Sequence, residues 1–218
     1  MCLFLSRSPS QRAYRQDGQY LVSVRYGGWH DIREFIQPNN PDVIAVRSQV
    51  GSDPWSLFDF VCRNINYKRD IGEFWQTPSE TLRGYGDCED SSNLLTSLLR
   101  NFTNAYTVLG NYQGWGHAWV ASGEGKILEA TYTSARHVPD PQDYCPYILF
   151  NEQEVIELWP GALGEVFALG RDEATKLNLM AKASELESVP NPDVSWVASL
   201  AGPALIAGAI LIAATVTR

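Results

Sequence analysis

Between Asp87 and Thr131 the chain sets one apolar-striped helix directly before three short strands. Asp87 has the side chain of a helix cap. Leu94, Leu95, Leu98 and Leu99 then recur at the spacing of one buried helix face, over about residues 88–101. Short apolar runs follow at about 105–109, 117–121 and 126–131, and Gly123 and Gly125 join the last two as a hairpin. A run of helix feeding a run of strands predicts an α+β fold.

The flanking segments are read the same way. Residues 19–26 alternate apolar and polar as a strand does, and Gly27-Gly28 closes it. Residues 37–42 are a loop by their Pro and Asn content. Asp53 and Pro54 open a helix whose apolar residues are Trp55, Phe58, Val61, Cys62 and Ile65. Thr77-Pro78-Ser79-Glu80 is a capping box that starts a shorter helix. Residues 1–18 read as a polar, flexible lead-in, 147–150 as a strand, and 151–187 as mostly helix broken near Pro160-Gly161. No internal repeat is visible.

Composition narrows the function. The 218 residues carry 17 Lys and Arg against 25 Asp and Glu, a net charge of −8. An acidic chain without basic clusters is not a phosphate-backbone binder, so no nucleic-acid partner is expected. Four Cys are too sparse for a disulfide scaffold. They also form no close Cys/His pairs, so no zinc site, and no metal or other cofactor, is expected.

The charge is uneven. Residues 151–193 hold 9 acidic and 3 basic side chains, whereas 194–217 are 24 residues with no formal charge. That sets out three parts: a near-balanced domain over 1–150, an acidic helical extension and linker over 151–193, and an apolar C-terminal helix over 194–218. About 20 apolar residues span a bilayer. Trp196 and Arg218 stand where interfacial anchors would, and Ala198, Gly202, Ala204 and Gly208 give small-residue spacings for helix pairing. The tail therefore predicts a membrane span, with self-assembly through tail helices or burial in a particle as the alternatives. The start MCLFLSR lacks the features of a signal peptide. The expected location is thus membrane-anchored with the main domain in the cytoplasm.

The chemistry lies at Gly86-Asp87-Cys88-Glu89-Asp90. Cys88 falls in the first turn of a helix, where N–H groups and the positive dipole end favour a thiolate. Gly84 and Gly86 are expected to let the backbone approach a substrate. Glu89 and Asp90 oppose the thiolate, so a cationic partner is required. A small buried Cys at a helix start is the plainer reading. His117, in Gly116-His117-Ala118-Trp119-Val120, supplies the partner. An odd-length hairpin loop sets His117 directly opposite Glu129, where a carboxylate orients the imidazole. Trp115 and Trp119 flank the His and exclude water.

Taken in order, Trp75-Gln76-Thr77-Pro78-Ser79-Glu80-Thr81-Leu82, Gly86-Asp87-Cys88-Glu89-Asp90, Gly116-His117-Ala118-Trp119-Val120 and Leu128-Glu129-Ala130-Thr131 resemble the transglutaminase-like cysteine peptidase superfamily. The resemblance covers about residues 53–150. It implies a papain-like core with Cys on a helix and His and a carboxylate on adjacent strands. The third member of that group is usually Asp, whereas this chain has Glu129.

The resemblance further implies acyl transfer on a peptide or protein substrate. Cys88 would be the nucleophile, His117 the acid and base, and Gln76 or Trp75 an oxyanion donor beside the Cys88 N–H, with Trp115 in the cleft. A peptidase or amidase is the expected activity. A protein-crosslinking transglutaminase and a non-catalytic assembly module are the alternatives.

Overall fold

The computed structural model describes residues 13–70 and 72–169. Helices and antiparallel strands occupy separate layers, an α+β arrangement. The N-terminal part is a meander of β1 (Ala13–Gln16), β2 (Gln19–Arg25) and β3 (Gly28–Asp31), closed by a 3-10 turn at Ile32–Phe35. Helices α1 (Pro41–Val50) and α2 (Pro54–Asn64) follow. The short strands β4 (Asn66–Tyr67) and β5 (Tyr85–Gly86) pair in parallel, and α3 (Pro78–Thr81) lies between them. Next come α4 (Cys88–Leu99), β6 (Ala105–Tyr112), β7 (Trp115–Ser122), β8 (Ile127–Leu128), a 3-10 turn at Pro141–Asp143, β9 (Tyr144–Phe150), β10 (Val155–Glu157) and α5 (Ala162–Ala168).

The main sheet runs β10-β9-β6-β7-β8, every pair antiparallel. Its two faces bury different cores. Helix α4 packs on β6 and β7 and, with α2 and Val43 of α1, encloses Leu57, Phe58, Leu94, Leu95, Leu98 and Trp119. The other face packs Leu109, Ala118, Ile148 and Phe150 against Val22, Val24 and Phe35 of the meander and against α5. The buried hydroxyls of Thr96 and Thr107 pair at 2.9 Å and fix α4 against β6. Gly110 of β6 must lack a side chain. A Cβ there would stand 2.2 Å from the Cys145 carbonyl and 2.5 Å from the Trp119 ring.

Local signals set the helix starts. Asp53 accepts the Ser56 N–H at 2.8 Å with Pro54 at the first helical position. Glu80 closes the Thr77 capping box, and Arg25 reaches the same carboxylate from β2. The Arg25–Glu80 pair joins the meander to the segment leading into α3. Burial pushes the Glu80 carboxyl up most strongly of any single influence, but the Arg25 and Thr77 donors together hold it at about 2.

Several expectations are corrected. The lead-in ends in strand β1, and the segment after Gly27 is strand β3, so the N-terminal part is a three-stranded sheet. Helix α1 was not expected: Val43, Val46 and Val50 pack on the core at helical spacing, but the exposed Ile44 blurs that stripe. Trp55 is 40% exposed rather than core. The strand expected over 126–131 is only two residues long, and residues 155–157 form a strand rather than helix. Among the described residues no helix is long and apolar enough to cross a membrane. The apolar tail, on which the membrane and self-assembly expectations rest, lies outside the described residues.

Candidate active site

Cys88 is the first residue of α4. The strand before it is held in place by parallel pairing, with the Lys68 N–H bonded to the Gly86 carbonyl at 2.9 Å. Gly86 is needed for packing, which corrects the expectation of a close substrate approach there. A Cβ at Gly86 would lie 2.7 Å from the Asp90 Cβ and 3.2 Å from the Thr81 methyl. Gly84 serves its turn, at φ 101°.

Asp90 fastens the helix start to the Gln76 segment. Its Oδ1 accepts the Gln76 N–H at 2.7 Å and its Oδ2 accepts the Asp87 N–H at 3.2 Å. Trp75 and Thr77 are tied as well, their N–H groups bonded to the Val24 carbonyl and to Glu80. The Trp75 ring is core: it is 1% exposed and packs between Phe35, Phe150 and Phe167.

Glu89 and Asp90 are buried rather than facing solvent beside the thiol. Burial, then the charge of Glu89, pushes the Asp90 carboxyl up to about 8. The Cys88 thiol donates to Glu89 Oε2 at 3.1 Å. Donor atoms of Asp87, Cys88 and Glu89 lie within 4.8 Å of one another, a spacing at which a cation could be held.

A folded-state pKa raised above the ordinary carboxyl value favours folding below that value. Asp90 therefore contributes stability at acid pH that is lost as the pH rises from about 4 toward about 8. Asp90→Asn removes this titration but offers one acceptor oxygen for two N–H groups. It is expected to cost about 1–3 kcal/mol at pH 5 and less at pH 8, as read from urea melts at the two pH values.

His117 is on β7 and is largely buried. Its Nε2 lies 2.8 Å from Glu129 Oε2. The two do not face each other across a ladder as the sequence suggested. Val120 pairs with Leu128 and Ala121 with Ile127, so the register differs by two residues. A shift of two preserves the face, and Glu129 reaches His117 from just past the end of β8.

Glu129 is fully buried, and the same carboxylate accepts three further hydrogen bonds. These come from the Thr131 N–H at 3.1 Å, the Thr131 hydroxyl at 2.6 Å and the Tyr144 hydroxyl at 3.0 Å. Burial pushes the carboxyl up, but the charge and hydrogen bond of His117 and the Thr131 donors hold it below the ordinary value. Trp119 stacks beside the imidazole at 6.1 Å, and Tyr112 and Tyr144 complete the wall. Trp115, on the same face two residues earlier, is 39% exposed.

The structure thus joins His117 to Glu129 and places Cys88 on the helix that packs against β7, the strand of His117. Tyr144 and Thr131 are contacts the sequence reading missed. The Glu-x-Thr spacing was a local signal for Thr131. Tyr144 gave none, because it arrives from β9 through the pairing of Tyr112 with Tyr144. The other thiols differ from Cys88. Cys62 is buried, and burial followed by the Glu129 charge pushes its thiol well up; Cys145 is exposed, and partial burial of the thiol raises it.

No family model matches the chain, and no curated protein matches it either. Among solved structures, Legionella pneumophila LapG in an EGTA-treated form aligns with a TM-score of 0.45 at 16% identity, covering 70% of this chain and 95% of that one. A second LapG structure aligns at 0.42 with the same identity. A calcium-bound form aligns at 0.38, covering 61% of this chain and 98% of that one.

Proposed function

We propose that this protein is a cysteine hydrolase that cleaves an amide bond in a peptide or protein through Cys88, His117 and Glu129. The observation that carries the reading is the buried His117–Glu129 pair at 2.8 Å, with His117 on the strand against which the Cys88 helix packs. An ionised carboxylate only accepts hydrogen bonds, so His117 Nε2 carries the proton shared with Glu129. That leaves the Nδ1 lone pair as the base for the Cys88 thiol.

The thiolate adds to the carbonyl, and the imidazolium protonates the leaving amine to give a thioester. His117 then activates water to release the acid. The Cys88 N–H lies in the first turn of α4, where N–H groups point out of the helix toward a developing oxyanion. The backbone N–H groups of Trp75 and Gln76 are engaged by Val24 and Asp90, so a second donor would be the Gln76 side-chain amide. Trp115 would form the open wall of the cleft.

The test is turnover of p-nitrophenyl acetate, a small acyl donor that bypasses sequence specificity. A nitrophenol burst, an acetyl group on Cys88 and slow release as acetate are expected, all absent from Cys88→Ala. Unchanged release by Cys88→Ala would overturn the reading. Transfer of the acetyl group to an added amine, in preference to water, would favour a crosslinking enzyme.

A further inference from the structure

A glutamate in the orienting position has one more rotatable bond than an aspartate, so its carboxylate needs an outside constraint to keep one oxygen on the imidazole. The donors at Glu129 divide by oxygen. Thr131 supplies both of its donors to Oε1, whereas Oε2 receives His117 at 2.8 Å and Tyr144 at 3.0 Å. The Thr131 grip is local, two residues along the chain, and moves with Glu129 itself. The Tyr144 grip comes from β9, where the residue pairs with Tyr112 and packs its ring 4.6 Å from Tyr112 and 5.1 Å from Trp119.

A phenol so packed has its hydroxyl aimed by the sheet. Burial, then the Glu129 charge, pushes that hydroxyl well up, so it remains a proton donor.

We propose that Tyr144 is the positioning residue of this site: its hydroxyl, held by the sheet, fixes Glu129 Oε2 against His117 Nε2 and so makes a glutamate serve as the orienting carboxylate. Four donors then fill the four acceptor sites of a carboxylate with no exposure to water. This inference rests on the proposed use of Cys88 and His117.

The experiment reads the rate of Cys88 alkylation by iodoacetamide from pH 5 to pH 9, by peptide mass. Tyr144→Phe keeps the ring and removes only the hydroxyl. It is expected to slow alkylation at pH 5 about tenfold, the rate equivalent of one hydrogen bond, while rates at pH 9, where any thiol ionises, stay within about twofold. The control must not touch the wall formed by Tyr112, Trp119 and Tyr144. Tyr106→Phe keeps that wall intact, deletes a hydroxyl bonded to Glu154 at 2.7 Å, and should match the wild-type profile.

Thr131→Val, which removes the hydroxyl bond to the other oxygen and keeps the N–H bond, should act in the same direction and replaces Tyr144→Phe should that variant not fold. A pH 5 rate within twofold of wild type for these variants would overturn the inference, as would an equal loss in Tyr106→Phe. A wild-type rate that already falls tenfold per pH unit would remove the proposed function and this inference together.

Discussion

The Glu129→Ala variant is expected to be about 3–5 kcal/mol less stable than the wild type at pH 7, the usual cost of removing one partner from a buried ion pair. The substitution leaves the His117 Nε2 proton, the Thr131 N–H, the Thr131 hydroxyl and the Tyr144 hydroxyl without their acceptor, at a position with no exposure to water. Each orphaned donor carries its own desolvation penalty, and the vacated volume adds packing loss. The pH dependence follows from the depressed carboxyl of Glu129. Such a group stabilises the fold above its ordinary unfolded value of about 4.5, and that contribution is lost as the pH falls through the lower folded value. The deficit should therefore be level from pH 6 to 8 and shrink below pH 4. Urea melts across this range check it, and a deficit under about 1 kcal/mol at pH 7 would mean that the network contributes little.

What could be read from the sequence was local. The leucine face of α4, the Asp53-Pro54 start of α2 and the Thr77–Glu80 capping box are written within a few residues, and each appears in the structure. Strands β1 and β3 are four residues each with mixed composition. They are strands because β2 lies between them, and no window of sequence contains that fact. Helix α1 has a weak stripe, because Val46 and Val50 beside Val43 are only half-buried and Ile44 is exposed. Strand β10 exists through its pairing with β9.

The site divides the same way. Cys88 and His117 stand out by residue type and by their neighbours. The Asp87–Asp90 capping box was also within local reach, though its second link, to Gln76, crosses 14 positions of chain. The burial of Glu89 and Asp90, and the raised Asp90 carboxyl that follows from it, depend on how α4 seats against the sheet. Tyr144 is the clearest case: it meets Glu129 because β9 pairs with β6 and β6 with β7, two non-local steps that residue spacing does not encode.

The central claim is that Cys88 and His117 act as one unit, and the pH profile of Cys88 alkylation tests it most directly. An isolated thiol near pKa 8.5 loses tenfold in thiolate for each unit of falling pH, whereas a thiolate paired with an imidazolium persists to about pH 4. Lower basicity also lowers intrinsic nucleophilicity by about half a log unit per pKa unit, so no gain remains at neutral pH. At pH 5 the two effects leave the paired thiolate ahead by about 30-fold. Wild-type Cys88 is therefore expected to alkylate at a nearly constant rate from pH 5 to 7. His117→Ala should instead fall tenfold per unit and end about 30-fold slower at pH 5. Cys145 gives the slope of an unactivated thiol in the same tube, and Cys62 should stay unlabelled in the folded chain. A Cys88 profile that follows the Cys145 slope and is unchanged by His117→Ala would contradict the claim.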